Sequence, residues 1–273
     1  MSDAKVSNIQ SDNISIIIPA YNEEKRIINR LQLLVNFFDN YMGNYEIIVI
    51  TDGCTDKTHF LVLEFSKKHP QVKLLNFSKR LGKGGAIIEG LRRAGGNIIA
   101  IADADNSVAP AELYKLITES KNYDVVICSR YSNGACLLIK EPFNRFILGR
   151  AFNALVKLMF WRMSKIYDTQ CGAKVVKRYV ISKILSDLFI TGFTFDVNLI
   201  YSSLRHGFTV KEVGITYKHI DDYSKVSKNL PRVAFGMFFS LIKLRLYYSR
   251  FRPLLYTRTF QKLSLFIWHT TKA

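Results

Sequence analysis

Four apolar runs, each ending in charged residues, constrain this chain more than any other feature. They lie in "ISIIIPAYNEE", "YEIIVITDGCTD", "NIIAIADADNS" and "YDVVICSRY". Short continuous apolar runs without strict alternation suit strands buried on both faces. Helix signals lie between them. Glu23 and Glu24 suit the first turn of a helix running to about Phe38, where the dipole favours anions. Gly53 allows a tight turn, and Thr55 or Asp56 can cap the next helix. "VKLLNF" reads as a short strand, "GKGGAIIEGLRRA" as a glycine-rich turn entering a helix, and Ala111 to Ser120 as another helix. Up to about Tyr131 the alternation predicts an α/β fold, with a mostly parallel central sheet flanked by helices. Ligands of such sheets bind at the carboxyl ends of the strands. Asp52, Asp103, Asp105 and Arg130 all fall at such ends.

Asp103 and Asp105 raise a sharper question. Residues i and i+2 of an extended chain point to one side, so these carboxylates repel each other unless a cation lies between them. A polar loop after a strand is the plain alternative. A metal site for a phosphate-bearing substrate is the chemical one, because Mg2+ and Mn2+ use few carboxylates plus phosphate oxygens.

Beyond Tyr131 the pattern changes. "NRFILGRAFNALVKLMFWRM" predicts a basic amphipathic helix, "IYDTQCGAKVVKR" a turn and strand, and "GFTFDVNLIYSSLRHG" a helix beginning near Phe195. "FTVKEVGITYKHI" alternates with period two, as a last strand would. Pro231 to Trp268 reads as two basic, aromatic helices separated by Pro253. The formal charge of +17 is concentrated there. From Tyr223 onward no Asp or Glu occurs, but Lys225, Lys228, Arg232, Lys243, Arg245, Arg250, Arg252, Arg258, Lys262 and Lys272 do. Nothing approaches ~18 continuous apolar residues, so no spanning helix is expected. The first dozen residues are polar and do not resemble a signal peptide. Cys54, Cys128, Cys136 and Cys171 form no CxxC pair, which argues against a zinc site or a disulfide framework and places the catalytic part in a reducing cytosol.

"IPAYNEE", "TDGCTD", "RLGKGGA", "DADNS" and "DTQCGAK" occur in an order that resembles the family 2 glycosyltransferases of the GT-A (Rossmann-like) fold. Within that family the chain is most similar to polyprenyl- (dolichyl-) phosphate glucosyl- and mannosyltransferases, over roughly residues 14 to 250. "GKGGA" with "DTQCG" favours the glucosyl branch. Departures are Thr51 for a usual aspartate, Cys54 for serine, Ala173 where Phe is frequent, and no N-terminal membrane helix. The resemblance implies an inverting hexosyl transfer, glucose from UDP-glucose being favoured, to a polyprenyl or dolichyl phosphate at the cytosolic membrane face. GDP-mannose as donor, or a soluble glycan as acceptor, are the alternatives. It divides the chain into a polar tail (1–13), a catalytic domain (14–222) and membrane-surface helices (223–273).

The resemblance also assigns roles. Asp103 and Asp105 would hold Mg2+ or Mn2+ against the donor diphosphate, with Asp103 also near the nucleoside. Pro19, Tyr21 and Glu23 would line the nucleotide pocket, Glu23 being alternatively a helix-start charge. Asp52 would read base or ribose, or be an ordinary turn residue. Gly82 and Gly84 would allow close backbone approach, with Lys83 meeting phosphate as a point charge. Arg130, Arg145 and Arg150 are candidates for the acceptor phosphate or departing diphosphate; Arg150 matches the family position best, and Arg145 could face solvent. Asp168 and Gln170 would shape the sugar pocket or reach the metal. Cys171 reads as packing, since no activating His is placed beside it. Asp196 would lie near the acceptor. A phosphate monoester, with a second pKa near ~6, is largely dianionic already, so Asp196 is expected to orient rather than act as base. His206 and His219 read as surface or strand residues, with His219 able to touch phosphate.

The basic aromatic tail suits an anionic membrane surface, or else helices packed on the core. Charge alone would also fit a nucleic-acid binder, but aspartates at the strand ends would repel phosphate without a metal. A nucleotide-sugar pyrophosphorylase would carry an N-terminal glycine-rich signature that "ISIIIPAYNEE" lacks. Self-association into a homo-oligomer stays open.

Overall fold

The computed structural model describes residues 13–139, 142–220 and 230–271. Residues 1–12 of the expected polar tail, and Lys225, Lys228 and Lys272 of the basic segment, lie outside the described residues.

The chain runs β1 (Ile14–Ala20), α1 (Ile27–Tyr41), β2 (Tyr45–Asp52), α2 (Thr58–Lys68), β3 (Val72–Phe77), α3 (Lys83–Arg93), β4 (Ile98–Ile101), α4 (Pro110–Glu119) and β5 (Val125–Ser129). It continues through β6 (Cys136–Ile139), α5 (Phe143–Met159), β7 (Lys174–Lys177), α6 (Arg178–Ile184), α7 (Phe195–Arg205), β8 (Val210–Gly214) and β9 (Thr216–Lys218). It closes with α8 (Leu230–Tyr247) and α9 (Arg258–Thr271), joined through a 3-10 turn at Arg252–Tyr256 that contains Pro253.

Seven strands form one sheet in the order β3-β2-β1-β4-β7-β5-β8. All neighbours are parallel except β7, which runs antiparallel between β4 and β5. The apolar runs explain the parallel part. Ile14, Ile16 and Ile18 of β1 face one core layer with Leu31, Leu34 and Phe38 of α1. Ile17 faces the other with Ile87 and Leu91 of α3. Each such side chain, fully buried, contributes roughly 1.5–3 kcal/mol. With apolar partners above and below, the strand needs no polar face, and its charges collect beyond its end.

Several local expectations change. Helix α1 begins at Ile27, so Glu23 and Glu24 precede it; the Glu23 carbonyl instead accepts the N–H groups of Arg26 and Ile27, each at 2.9 Å. The N-cap of the next helix is Lys57 rather than Thr55 or Asp56, and its side chain makes no capping bond; Asp56, one residue earlier, accepts the Thr58 N–H at 3.0 Å. The single last strand is divided at Ile215. Its N–H donates to the Ser129 carbonyl of the main sheet (3.2 Å), and its carbonyl accepts from Cys136 of a small β6-β9 sheet (3.0 Å). Cys128 and Cys171 are joined as a disulfide, against the expectation from spacing, with Cα atoms 5.8 Å apart. The cause is topological: β5 and β7 are neighbours, so cysteines 43 residues apart meet. Helix α8 is part of the folded unit rather than a separate tail, since Leu241 and Leu244 are fully buried in the second core layer. No helix among the described residues is long and apolar enough to cross a membrane.

Candidate active site

A cavity of about 960 Å3 opens beyond the carboxyl ends of β1, β2, β4 and β5 and is bounded by α5, α8 and α9. Its floor is charged. β4 stops at Ile101, which delivers Asp103 and Asp105 to the cavity. Asp103 Oδ1 meets Lys83 Nζ at 2.6 Å, and Asp196 Oδ1 meets Lys174 Nζ at 2.8 Å. Burial opposes the charge on Asp103, but Lys83, Lys174 and Arg30 outweigh it and hold the carboxyl below its usual range. Burial likewise opposes the charge on Lys83, and Asp103, Asp196 and Asp105 outweigh it and raise its pKa. Asp105 Oδ1 accepts from the Ser107 N–H (3.0 Å) and hydroxyl (2.5 Å), while its Oδ2 accepts nothing among the described residues.

Three residues that pattern reading missed complete this floor. Gly172 is one: a Cβ there would sit 1.9 Å from Asp103 Oδ2, so only glycine lets the Asp103 carboxylate lie against this loop. Its signal was its place in "DTQCG". Arg30, on α1, is 1% exposed and reaches the Val108 carbonyl at 2.8 Å. Burial lowers its pKa to about 10, against the pull of Asp105 and Asp103. As one arginine on an amphipathic helix it carried no signal. Arg80 lies 3.2 Å from the Tyr21 ring centroid and 3.5 Å from Asp52, and all three line the cavity.

Asp52 is 2% exposed and grips the glycine turn, its oxygens accepting the N–H groups of Leu81 (2.5 Å) and Gly82 (3.0 Å). Gly82 has φ +83°, and a Cβ there would strike both the Thr191 carbonyl and the Trp268 ring of α9 at 2.4 Å. The last helix is therefore packed onto the glycine turn. Asn22 joins the first two loops, exchanging hydrogen bonds with Thr55 (2.9 and 2.8 Å). Pro19, Tyr21 and Glu23 line the cavity as expected, Glu23 also binding Arg26 at 2.6 Å.

Other expected residues are placed differently. Gly84 does not line the cavity; its missing side chain admits the Ile190 carbonyl, which a Cβ would approach to 2.4 Å. Asp168 is 1% exposed and lies behind the cavity, where it receives Arg130 through Nε (2.8 Å) and Nη2 (3.0 Å). Burial opposes its charge, but Arg130 overcomes this and lowers its pKa. Asp168 thus sets Arg130, which does line the cavity, while Asp168 itself does not line it. Arg150 is exposed and off the cavity, 4.9 Å from the Tyr131 ring centroid, whereas Arg145 lines it. The two arginines are five residues apart on α5, more than one helical turn, and this rotates them onto different faces. Gln170, Asp196 and His219 line the cavity; His206 pairs with Asp187 at 2.9 Å, outside it.

No group of three His, Cys, Asp or Glu side chains converges among the described residues. Asp103 and Asp105 nevertheless fit a hard divalent cation, provided that a ligand's phosphate oxygens supply other positions.

A parallel-type α/β sheet with this Asp-x-Asp pair and lysine-bearing glycine turn at its strand ends defines a GT-A glycosyltransferase. The chain belongs to glycosyl transferase family 2, whose sequence model matches residues 15–185. It is 32% identical over 222 residues to the dolichyl-phosphate beta-glucosyltransferase of Drosophila melanogaster, covering 76% of this chain and 68% of that protein. The Saccharomyces cerevisiae protein of the same name is 31% identical over 227 residues, covering 76% and 67%. Glucosyl-3-phosphoglycerate synthase from Mycobacterium tuberculosis, solved with Mn2+, UDP-glucose and phosphoglyceric acid, overlays with a TM-score of 0.66. At 16% identity, over 86% of this chain and 80% of that one, it shows a shared fold.

Proposed function

We propose that this glycosyltransferase moves glucose from UDP-glucose to a polyprenyl or dolichyl phosphate, with inversion, at the cytosolic face of a membrane. One observation carries this reading. A single cavity joins a charged floor, with Asp103, Asp105 and Lys83, to an apolar wall from α5, α8 and α9, with Phe152, Leu155, Met237 and Ile267. A lipid phosphate has that same polarity, a charged head on an apolar chain. The names of the fly and yeast relatives support it.

Asp103 and Asp105 are the residues that would hold Mg2+ or Mn2+, and the ion, when bound, neutralises charge on the departing nucleoside diphosphate. Lys83 meets the same diphosphate as a point charge. Tyr21, Arg80 and Asp52 form the nucleoside end. Arg130, fixed by Asp168, and Arg145 present guanidinium groups to the acceptor phosphate, with His219 and Gln170 beside them. Asp196 holds Lys174 and orients. It has little proton to remove, because the acceptor is already largely a dianion. The exposed Phe235, Leu265 and Phe266, with Arg245, Arg258 and Lys262, form a basic apolar surface suited to an anionic leaflet.

The test is transfer of labelled sugar to polyprenyl phosphate, with UDP-glucose and GDP-mannose side by side, with and without Mg2+ or Mn2+. A metal-dependent glucolipid is the expected product. A mannolipid would change the donor, and donor hydrolysis without lipid product would redirect the acceptor to a soluble glycan.

A further inference from the structure

Three carboxylates, Asp103, Asp105 and Asp196, lie on the cavity floor with three cations around them: Lys83, Lys174 and Arg30. The three formal negative charges equal the three formal positive ones. We propose that Lys83 is a resident counter-cation for Asp103, displaced from it only when the donor diphosphate takes over its charge, so that metal and nucleotide enter as a pair. This rests on the reading that Asp103 and Asp105 hold the metal.

The geometry gives Lys83 this position. Its ammonium occupies Asp103 Oδ1 at 2.6 Å, on an oxygen the metal would need. The other Asp103 oxygen is crowded by Gly172, where even a Cβ would come within 1.9 Å. The carboxylate therefore has little room to turn and serve both cations. The other two cations are fixed elsewhere. Lys174 is held by Asp196 and the Cys171 carbonyl, and Arg30 by the Val108 carbonyl. Lys83 alone of the three sits at a helix N-terminus on a glycine turn, as the first residue of α3 after Gly82. That end of a helix receives anions, and a flexible lysine stem can swing its charge to a phosphate placed there.

Electrostatics then fixes the order of events. A divalent cation entering alone meets a neutral cluster and the ammonium of Lys83 at contact range, and the like charges oppose its entry. A cation entering with an anionic diphosphate leaves the site near balance, and the phosphate receives the lysine. The coupling is reciprocal, so the metal must strengthen nucleotide binding by the factor by which nucleotide strengthens metal binding.

The test measures Mn2+ binding to the full chain by the electron-paramagnetic signal of free Mn2+, with and without UDP. Wild-type protein should bind Mn2+ weakly alone and about tenfold or more tightly with UDP. Lys83→Met should bind Mn2+ alone about tenfold tighter than wild type, with the UDP enhancement largely lost. Lys83→Gln should do the same, while Lys83→Arg, which keeps the charge, should behave as wild type. Thermal melting checks that each variant is folded. If Lys83→Met and Lys83→Gln, both folded, bind Mn2+ alone no tighter than wild type, the counter-cation role is overturned while the metal site stands. If wild type binds no Mn2+ even with UDP, the metal reading falls and this inference with it.

Discussion

Residues 14–131 and residues 132–271 treat their apolar side chains differently. Before residue 132 the large hydrophobics left exposed, among the described residues, are Leu33, Tyr41, Phe60 and Leu63. The later part exposes many more, including Leu158 (83%), Trp161 (84%), Phe143 (73%) and Phe266 (66%). The first region spends its apolar surface on two sheet faces and pairs its site charges internally, Asp52 with Arg80 and Asp103 with Lys83. The second shows water both apolar and basic groups, with Arg245, Arg258 and Lys262 exposed on α8 and α9. A rigid charged floor suits a soluble, highly charged ligand. An apolar basic wall suits a ligand that arrives from an anionic lipid phase. Under the proposed transfer, the first region would serve the nucleotide sugar and the second the lipid phosphate.

The largest blow to the first region should come from Asp105→Asn. Sugar transfer should fall by roughly 10²–10³-fold, the scale of losing one strong electrostatic contact to the reacting charge, while the melting temperature stays near wild type. Asp196→Asn should cost less in the same turnover assay; equal losses would restore Asp196 as a base. Gly172→Ala should approach the Asp105 effect, because its methyl group displaces the Asp103 carboxylate.

A second test separates support from contact. Asp168→Asn should destabilise the fold by about 3 kcal/mol, since it removes the buried carboxylate that pairs with Arg130. The sign with pH follows from the lowered Asp168 pKa. Its stabilisation is complete above the unfolded value of about 3.9 and is lost as pH falls through the lower folded value. Denaturant melts between pH 7 and pH 3 should therefore show the gap between wild type and variant closing at the acid end. A constant gap would deny the ion pair its role.

For the second region, Phe235→Ser with Phe266→Ser, both exposed and off the cavity, should weaken binding to anionic vesicles about tenfold or more, given the area each side chain would bury. Transfer to a short water-soluble acceptor should change less than about twofold, and equal losses in both assays would place these residues in the catalytic cavity instead. The smallest effect is expected from Arg150→Ala, within about twofold, while Arg145→Ala weakens acceptor use about tenfold or more. Acceptor titrations of the two variants would reverse that ranking if the match by family position were the better guide.

Legibility followed the same division. Strands β1, β2, β4 and β5 could be read because each apolar run is long enough to fill both faces, and the delivery of Asp103 and Asp105 to the cavity could be read because they follow the carboxyl end of a buried strand. Strand β7 gave no comparable signal of its place, since "KVVK" does not say whether it pairs with β4, β5 or both, or in which direction. The disulfide followed from that unseen adjacency. Asp168, Gly84 and Arg150 were drawn to the ligand by their motifs, yet burial, the Ile190 carbonyl and the helical turn assign them to support, packing and the exterior.

By itself the sequence determined the parallel α/β half, the charged residues at its strand ends and the acid-free, basic aromatic stretch from Tyr223 onward. Periodicity, charge and turn chemistry are local properties, carried within a few residues. Tertiary structure alone decided which cation faces which carboxylate, that Arg30 approaches the Asp-x-Asp pair from α1, and that Trp268 packs on Gly82 across 186 residues of sequence. Those choices depend on distances between elements, and only the packing of both core layers sets them.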